Sequence, residues 1–165
     1  MQGPMSITAP ELFDDWARHG RAEGMEQGHS TRAEEALVAL GVQPGDACLD
    51  LGCGNGWATR WMKAKTGKFG FAAGVDASQE MIDRAKAQSD SYGTQFRCSM
   101  FETLVWKDEH FDRAFSMEAL YYALDVDAAL AELARVLKVG GSFAFVTDFF
   151  EENPHCHSWP GDLGI

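Results

Sequence analysis

From Cys48 to Met62 the chain reads CLDLGCGNGWATRWM: a short apolar run, the glycines Gly52, Gly54 and Gly56, then a segment with helical character. Glycine at that density lets a backbone turn through left-handed conformations or approach another group closely. A buried strand passing through such a turn into a helix is the opening of a βαβ unit, and right-handed crossovers leave that unit few architectures. The functional question is what the loop approaches: a dinucleotide, a phosphate, another cofactor, or only the neighbouring helix.

The rest of the chain repeats the alternation. FGFAAGVD predicts a second buried strand, TQFRCSMF a third, FDRAFSME a fourth and SFAFVTDFF a fifth. WATRWMKAKTG predicts a helix closing on Gly67, and SQEMIDRAKAQSDSYG one that carries Met81, Ile82 and Ala85 on one side and stops at Gly93. DVDAALAELARVLKVGG places Val126, Leu130, Leu133 and Leu137 on one stripe and ends in glycines. Upstream, the sequence predicts a short helix near 10–19, an irregular loop, and a second helix opening on Ser30 or Thr31 in a capping box and ending at Gly41. Continuous apolar strands between helices predict an α/β fold, a doubly wound, mainly parallel sheet with helices on both faces.

Composition narrows the partners. A formal charge of −11 over 165 residues repels phosphate backbones, and no Lys/Arg cluster offsets it, so the composition disfavours nucleic acid and a small molecule is the expected substrate. No apolar run reaches a membrane span, and MQGPMSITAPELFDDW lacks the layout of a signal peptide, which predicts a cytoplasmic protein with no membrane partner. Cys48, Cys53, Cys98 and Cys156 form no paired framework and read as free thiols. HCHSW at 155–159 invites a metal reading, but the other histidines are scattered, so no metal is expected.

Two phosphate readings of the glycine loop weaken on spacing. A dinucleotide fingerprint counted from Gly52 puts Trp57 where a third glycine packs helix on strand, and a P-loop needs a lysine that does not occur until Lys63. There remain Asp50 before the turn, G-x-G-x-G through it, and Asp76 ending the next strand, where a carboxylate can accept from both hydroxyls of a ribose. This set, D-L-G-C-G-x-G followed by G-V-D-x-S, resembles the class I S-adenosylmethionine-dependent methyltransferases. FDRAFSMEAL and LARVLKVGG resemble that family's fourth strand and the helix before its fifth, so the likeness covers about residues 30–150.

The resemblance implies S-adenosylmethionine as methyl donor, S-adenosylhomocysteine as product and a small-molecule acceptor; a cofactor-binding module without turnover is the other reading. It implies a cofactor seat of Asp50, Gly52, Cys53, Gly54, Gly56, Asp76, Ala77, Met81, Met100, Phe101, Ser116 and Met117. In it the loop backbone lines the methionyl and ribose side, and Asp50 orders the loop and the cofactor's amino group. Asp76 holds the ribose, Ala77 lies on adenine, and Ser116 and Met117 flank the methionyl group. Ser99-Met100 stands where the family commonly ends its third strand with a glycine–acid pair, so adenine is expected to rest on the Phe101 backbone and on packing. Catalytic candidates are His29 and Glu26 upstream and Glu118, Tyr121 and Tyr122 after the fourth strand. The implied division is a lid over 1–29, a cofactor domain over 30–150 and a C-terminal loop over 151–165. The last two strands of the family's sheet are expected to be missing, and the fifth strand's edge to invite a homodimer.

Overall fold

The computed structural model describes residues 9–19, 21–90 and 92–158, except the side chains of 9, 21–23, 25–27, 29 and 30. Among these residues five parallel strands form one sheet in the order β3-β2-β1-β4-β5: β1 Ala47–Leu51, β2 Phe71–Asp76, β3 Thr94–Cys98, β4 Phe111–Met117 and β5 Leu137–Val146. Helices α1 Ala9–Arg18, α2 Arg21–Leu40, α3 Trp57–Thr66, α4 Gln79–Ala87 and α5 Val126–Val136 complete the expected doubly wound architecture.

Alternation along β1 divides the core. Leu49 and Leu51 face a cluster with Val75, Phe101, Trp106, Phe111 and Leu133, while Cys48 faces Leu37, Met62 and Phe115. Phe111 and Phe115 are wholly buried, and truncating either to alanine is expected to cost about 3–5 kcal/mol. The chain leaves β1 toward β2 and β3, then returns to build β4 and β5 on the other side. The order reverses between β1 and β4, and ligands of such sheets bind at the strand ends beside that point.

Three local expectations are corrected. The segment 21–29, expected as an irregular loop, is helical, so Ser30 and Thr31 lie inside α2 and do not open it. Gly24 and Gly28 are exposed there, and their cost of about 1 kcal/mol each is met by surrounding Ala, Glu, Met and Gln. Helix α4 stops at Ala87, ahead of Gly93, where Asp90 organises a turn by accepting from the Tyr92 N–H and the Thr94 hydroxyl. Helix α5 ends at Val136 and the fifth strand opens at Leu137, because the N–H groups of Glu109 and His110 take the carbonyls of Arg135 and Val136. The glycines beyond serve a bulge: β4 steps from Phe111 to Arg113 while β5 steps from Leu137 to Ser142.

Candidate functional site

The glycine loop sits at the reversal point, and its geometry states what it can hold. Gly52, Gly54 and Gly56 all have positive φ (73°, 50° and 80°). The N–H groups of Gly52 and Cys53 both donate to the Val75 carbonyl, at 2.8 and 3.0 Å, fastening the loop to the end of β2. The Gly54 N–H donates to Asp76 Oδ2 at 2.9 Å, the Gly56 N–H to the Cys53 carbonyl, and the Trp57 N–H to Asn55 Oδ1. An anion cradle presents unused N–H groups to its phosphate. Here the N–H groups of Gly52, Cys53, Gly54, Gly56 and Trp57 are taken by the protein, so the phosphate readings, already weakened by spacing, fail on geometry.

The three glycines are needed for different reasons. A Cβ on Gly52 would overlap that of Ala119, the residue just past β4, so this close approach seats the post-β4 loop on the glycine loop. A Cβ on Gly56 would come within 2.8 Å of Phe96 and 3.0 Å of Ala85. Gly56 thus packs helix on sheet, the task Trp57 cannot perform, and lies on the core side of the loop. A Cβ on Gly54 meets nothing within 4 Å, so the loop opens outward at this residue.

Two carboxylates flank the loop. Asp50, buried in β1, accepts from the Thr59 hydroxyl at 2.6 Å, and burial pushes its pKa up to about 7. Asp76, at the end of β2, accepts from the N–H groups of Gly54 and Ser78, yet burial still raises its pKa. No salt bridge reaches either among the described residues, and the cation that bears on Asp50 is Arg60, which donates to the Asn55 carbonyl. S-adenosylmethionine, with a ribose diol, an ammonium and a sulfonium and no phosphate, fits this donor set, and the space before Gly54 accommodates close approach of a ligand.

The other expected residues divide. Ala77 is half-buried beside Asp76, and Phe101 lies near the Cα of Gly52, so both adjoin the loop. Met100 is half-buried where the chain turns after β3. The Cys53 side chain is turned into the core with Ile82, Ala85 and Phe96, where burial drives its thiol pKa well up. Ser116 spends its hydroxyl on the Leu51 carbonyl, Met117 leans on the α2 and α3 side of the core, and Met81 is covered by Ala17 of α1. The side chains of Glu26 and His29 lie outside the described residues. Around 155–157, Cys156 Sγ donates to the carbonyls of Phe150 and Asn153.

Beyond β4, Glu118 has a left-handed φ of 49°, which a residue with a side chain rarely adopts and which concentrates at functional sites. Its half-buried carboxylate accepts from the Tyr121 hydroxyl at 3.1 Å and from the Asp148 N–H; burial raises its pKa. Tyr121 contacts Tyr122 and Phe149, and Tyr122 meets Phe13 of α1 edge-on at 4.7 Å. From adjacent positions in the middle of helix α1, Phe13 touches Tyr122 beyond β4 and Asp14 accepts from the Ser78 hydroxyl beside Asp76. Thr59, Ser78, Asp14 and Phe149 were not among the expected site residues. Only Ser78 carried a local signal, as the cap in D-A-S-Q-E-M.

Comparison with known proteins agrees with this geometry. A family described as a methyltransferase domain matches residues 49–145. The chain is 33% identical over 147 residues to a 2-phytyl-1,4-naphtoquinone methyltransferase of Nostoc sp., covering 87% of this chain and 61% of the relative. It is 33% identical to a 24-methylenesterol C-methyltransferase 2 of Oryza sativa, over 75% of this chain and 36% of that one. Among solved structures, the methyltransferase in a complex with the Haloferax volcanii Trm112 methyltransferase activator is 40% identical, with a TM-score of 0.84 over 91% of this chain and 66% of that chain. An S-adenosylmethionine-dependent methyltransferase of Mesorhizobium loti is 32% identical, with a TM-score of 0.62 over 68% of this chain and 52% of that chain. The chain thus spans about three fifths of the length of the Nostoc relative.

Proposed function

The chain belongs to the methyltransferase-domain family, whose cofactor is S-adenosylmethionine, and on that premise we propose that it transfers a methyl group to a small-molecule acceptor. The observation that carries this reading is the glycine loop, whose glycine N–H groups are already bonded, set between two buried acids that no salt bridge reaches among the described residues. Bound there, S-adenosylmethionine supplies an electrophilic methyl on a good leaving group, so positioning accounts for much of the rate. Asp76 holds the ribose, Asp50 orders the loop and the amino group, and the post-β4 segment faces the acceptor.

Where the acceptor must lose a proton, Glu118 receives it, with Tyr121 holding the carboxylate; His29 is a second candidate. A small acceptor is supported by the naphtoquinone and sterol acceptors in the relatives' names. Residues 1–29 act as a lid, 30–150 as the cofactor domain and 151–165 as the start of the acceptor side. Four free cysteines support a reducing cytoplasmic setting. The test is methyl transfer from labelled S-adenosylmethionine to a panel of quinols, sterols, phenols and amines. Label in at least one acceptor is expected, and S-adenosylhomocysteine binding without any transfer would leave a cofactor-binding module instead.

Protein partners follow the same reading. A small activator of the Trm112 type is supported by the 40% identity to the complexed methyltransferase, and co-purification of the two chains tests it. Self-association through β5 is supported by an edge that pairs with β4 alone among the described residues and by Phe145, 55% exposed on it.

A further inference from the structure

Glu118 is held by residues that have no part in the cofactor seat. Its backbone N–H donates to the Val146 carbonyl at 2.9 Å, which fastens the left-handed turn after β4 to the end of β5. Two residues further on, the Asp148 N–H donates to Glu118 Oε1, while the Tyr121 hydroxyl donates to Oε2. Asp148 is itself fixed from two directions. Its carboxylate accepts from Arg32 Nη1 of α2, at 2.8 Å to Oδ1 and 3.1 Å to Oδ2, and its carbonyl accepts from Asn153 Nδ2 at 2.6 Å. The Phe149 N–H closes on the Thr147 hydroxyl at 2.9 Å, and the Phe149 ring lies on Tyr121. Helix α2, 116 residues earlier in the chain, thus reaches the Glu118 carboxylate through one ion pair and one backbone donor.

We propose that Asp148 and Arg32 are positioning residues: their ion pair holds the Asp148 N–H against Glu118 and so fixes the direction in which its carboxylate meets the acceptor. The proposal rests on the reading of Glu118 as the group that takes the acceptor's proton. A free glutamate samples several rotamers, whereas proton transfer needs the oxygen within about 2.6–3.2 Å of its target. Donors from two different segments leave the side chain one arrangement. The groups that bear on its charge are few. Burial comes first and raises the Glu118 pKa; the Tyr121 hydroxyl and the Asp148 N–H lower it, the Asp148 carboxylate raises it, and Arg32 lowers it. Tyr122 is bonded to Tyr121, and from α1 Phe13 meets Tyr122 while Asp14 is engaged with Ser78. Position and charge make opposite statements about Asp148. Acting through charge alone, its removal lowers the Glu118 pKa. Acting through position, its removal slackens the turn, and the lost N–H raises it. A hydrogen bond to a charged group outweighs an ion pair whose side chains are 65% and 37% exposed, so position decides the sign.

The test is NMR on the full chain, which needs no acceptor. Glutamate labelled at the side-chain carboxyl carbon reports the Glu118 titration, identified by its loss in Glu118→Gln, and the Asp148 amide is followed beside it. In the unaltered protein the Asp148 amide is expected to shift with the same midpoint as Glu118. Arg32→Gln is expected to raise that midpoint by about half a pH unit and Asp148→Ala by about one, both with a smaller amide response. Arg32→Lys restores both quantities. Asp148→Asn, which still accepts from Arg32, keeps the amide response and lowers the midpoint. Unchanged amide spectra elsewhere confirm that each variant is folded. A lower midpoint in Asp148→Ala, or an Asp148 amide blind to the Glu118 titration, overturns the positioning role; an unmoved midpoint in Arg32→Gln overturns the part of Arg32. The chemistry is read separately, with labelled S-adenosylmethionine and an acceptor that takes label. There Arg32→Gln should lower kcat about threefold at unchanged KM for S-adenosylmethionine and move the acid limb of the pH profile upward, while Glu118→Gln loses at least about a hundredfold. Methyl transfer at the unaltered rate in Glu118→Gln removes the proton-acceptor reading and the catalytic purpose of the clamp with it, whereas the NMR outcomes overturn the clamp itself.

Discussion

Gly52, Gly54 and Gly56 share a handedness but not a purpose, and alanine separates them. At Gly54 the added methyl meets open space, so Gly54→Ala costs only the left-handed backbone penalty of about 1–2 kcal/mol. It narrows the seat, and S-adenosylhomocysteine affinity should fall more than tenfold while urea unfolding moves little. Gly56→Ala adds the same penalty to a collision with Phe96 and Ala85, and is expected to lose about 3 kcal/mol of stability. Asp50 carries a pH signature. Its folded pKa, about 7, lies above its ordinary value of 3.8, so the native state holds a proton that the unfolded chain has lost. Stability from this group therefore falls as pH rises from about 4 to 7 and stays level above. Asp50→Asn should raise the melting temperature at pH 8 and not at pH 4, measured by thermal unfolding.

At the scale of elements, the strands and most helices were legible because apolar runs and their glycine stops are local. The placement of Asp50, Gly54 and Asp76 beside the reversal point was legible because strand ends converge there, which spacing alone can locate. What was not legible depended on distant contacts. The end of α5 is decided by N–H groups at 109 and 110, and the aromatic contacts of Tyr122 are decided by α1, more than 100 residues earlier. Glu118 could be named from its place after β4 but its left-handed backbone could not, since no residue type announces that conformation. Helix α1 makes its own prediction. Phe13→Ala removes an edge-on ring contact worth about 1 kcal/mol, so S-adenosylhomocysteine should dissociate roughly five times faster in stopped-flow, with little change in unfolding.

At the scale of the molecule, charge and shape oppose one another. A second chain pairing along β5 would bring two bodies of formal charge −11 together, so self-association should strengthen as salt screens them. Sedimentation at 20 and 500 mM salt, set on either side of a Debye length of about 10 Å, reads this directly, and Phe145→Lys should abolish the dimer. A monomer at both salts would remove the edge from the list of interfaces. The sheet order has a further consequence for how the chain is made. β1 leaves the ribosome early, but its neighbour β4 follows about sixty residues later, and Ala119 later still. Through several seconds of translation the glycine loop has strand β2 on one side and nothing on the other. A nascent chain stalled before Met117 holds all three glycines and both acids, yet should retain no S-adenosylhomocysteine. On the proposed reading, the methyl donor's seat is thus completed by the segment assigned to the acceptor, and the two halves of the chemistry become competent together.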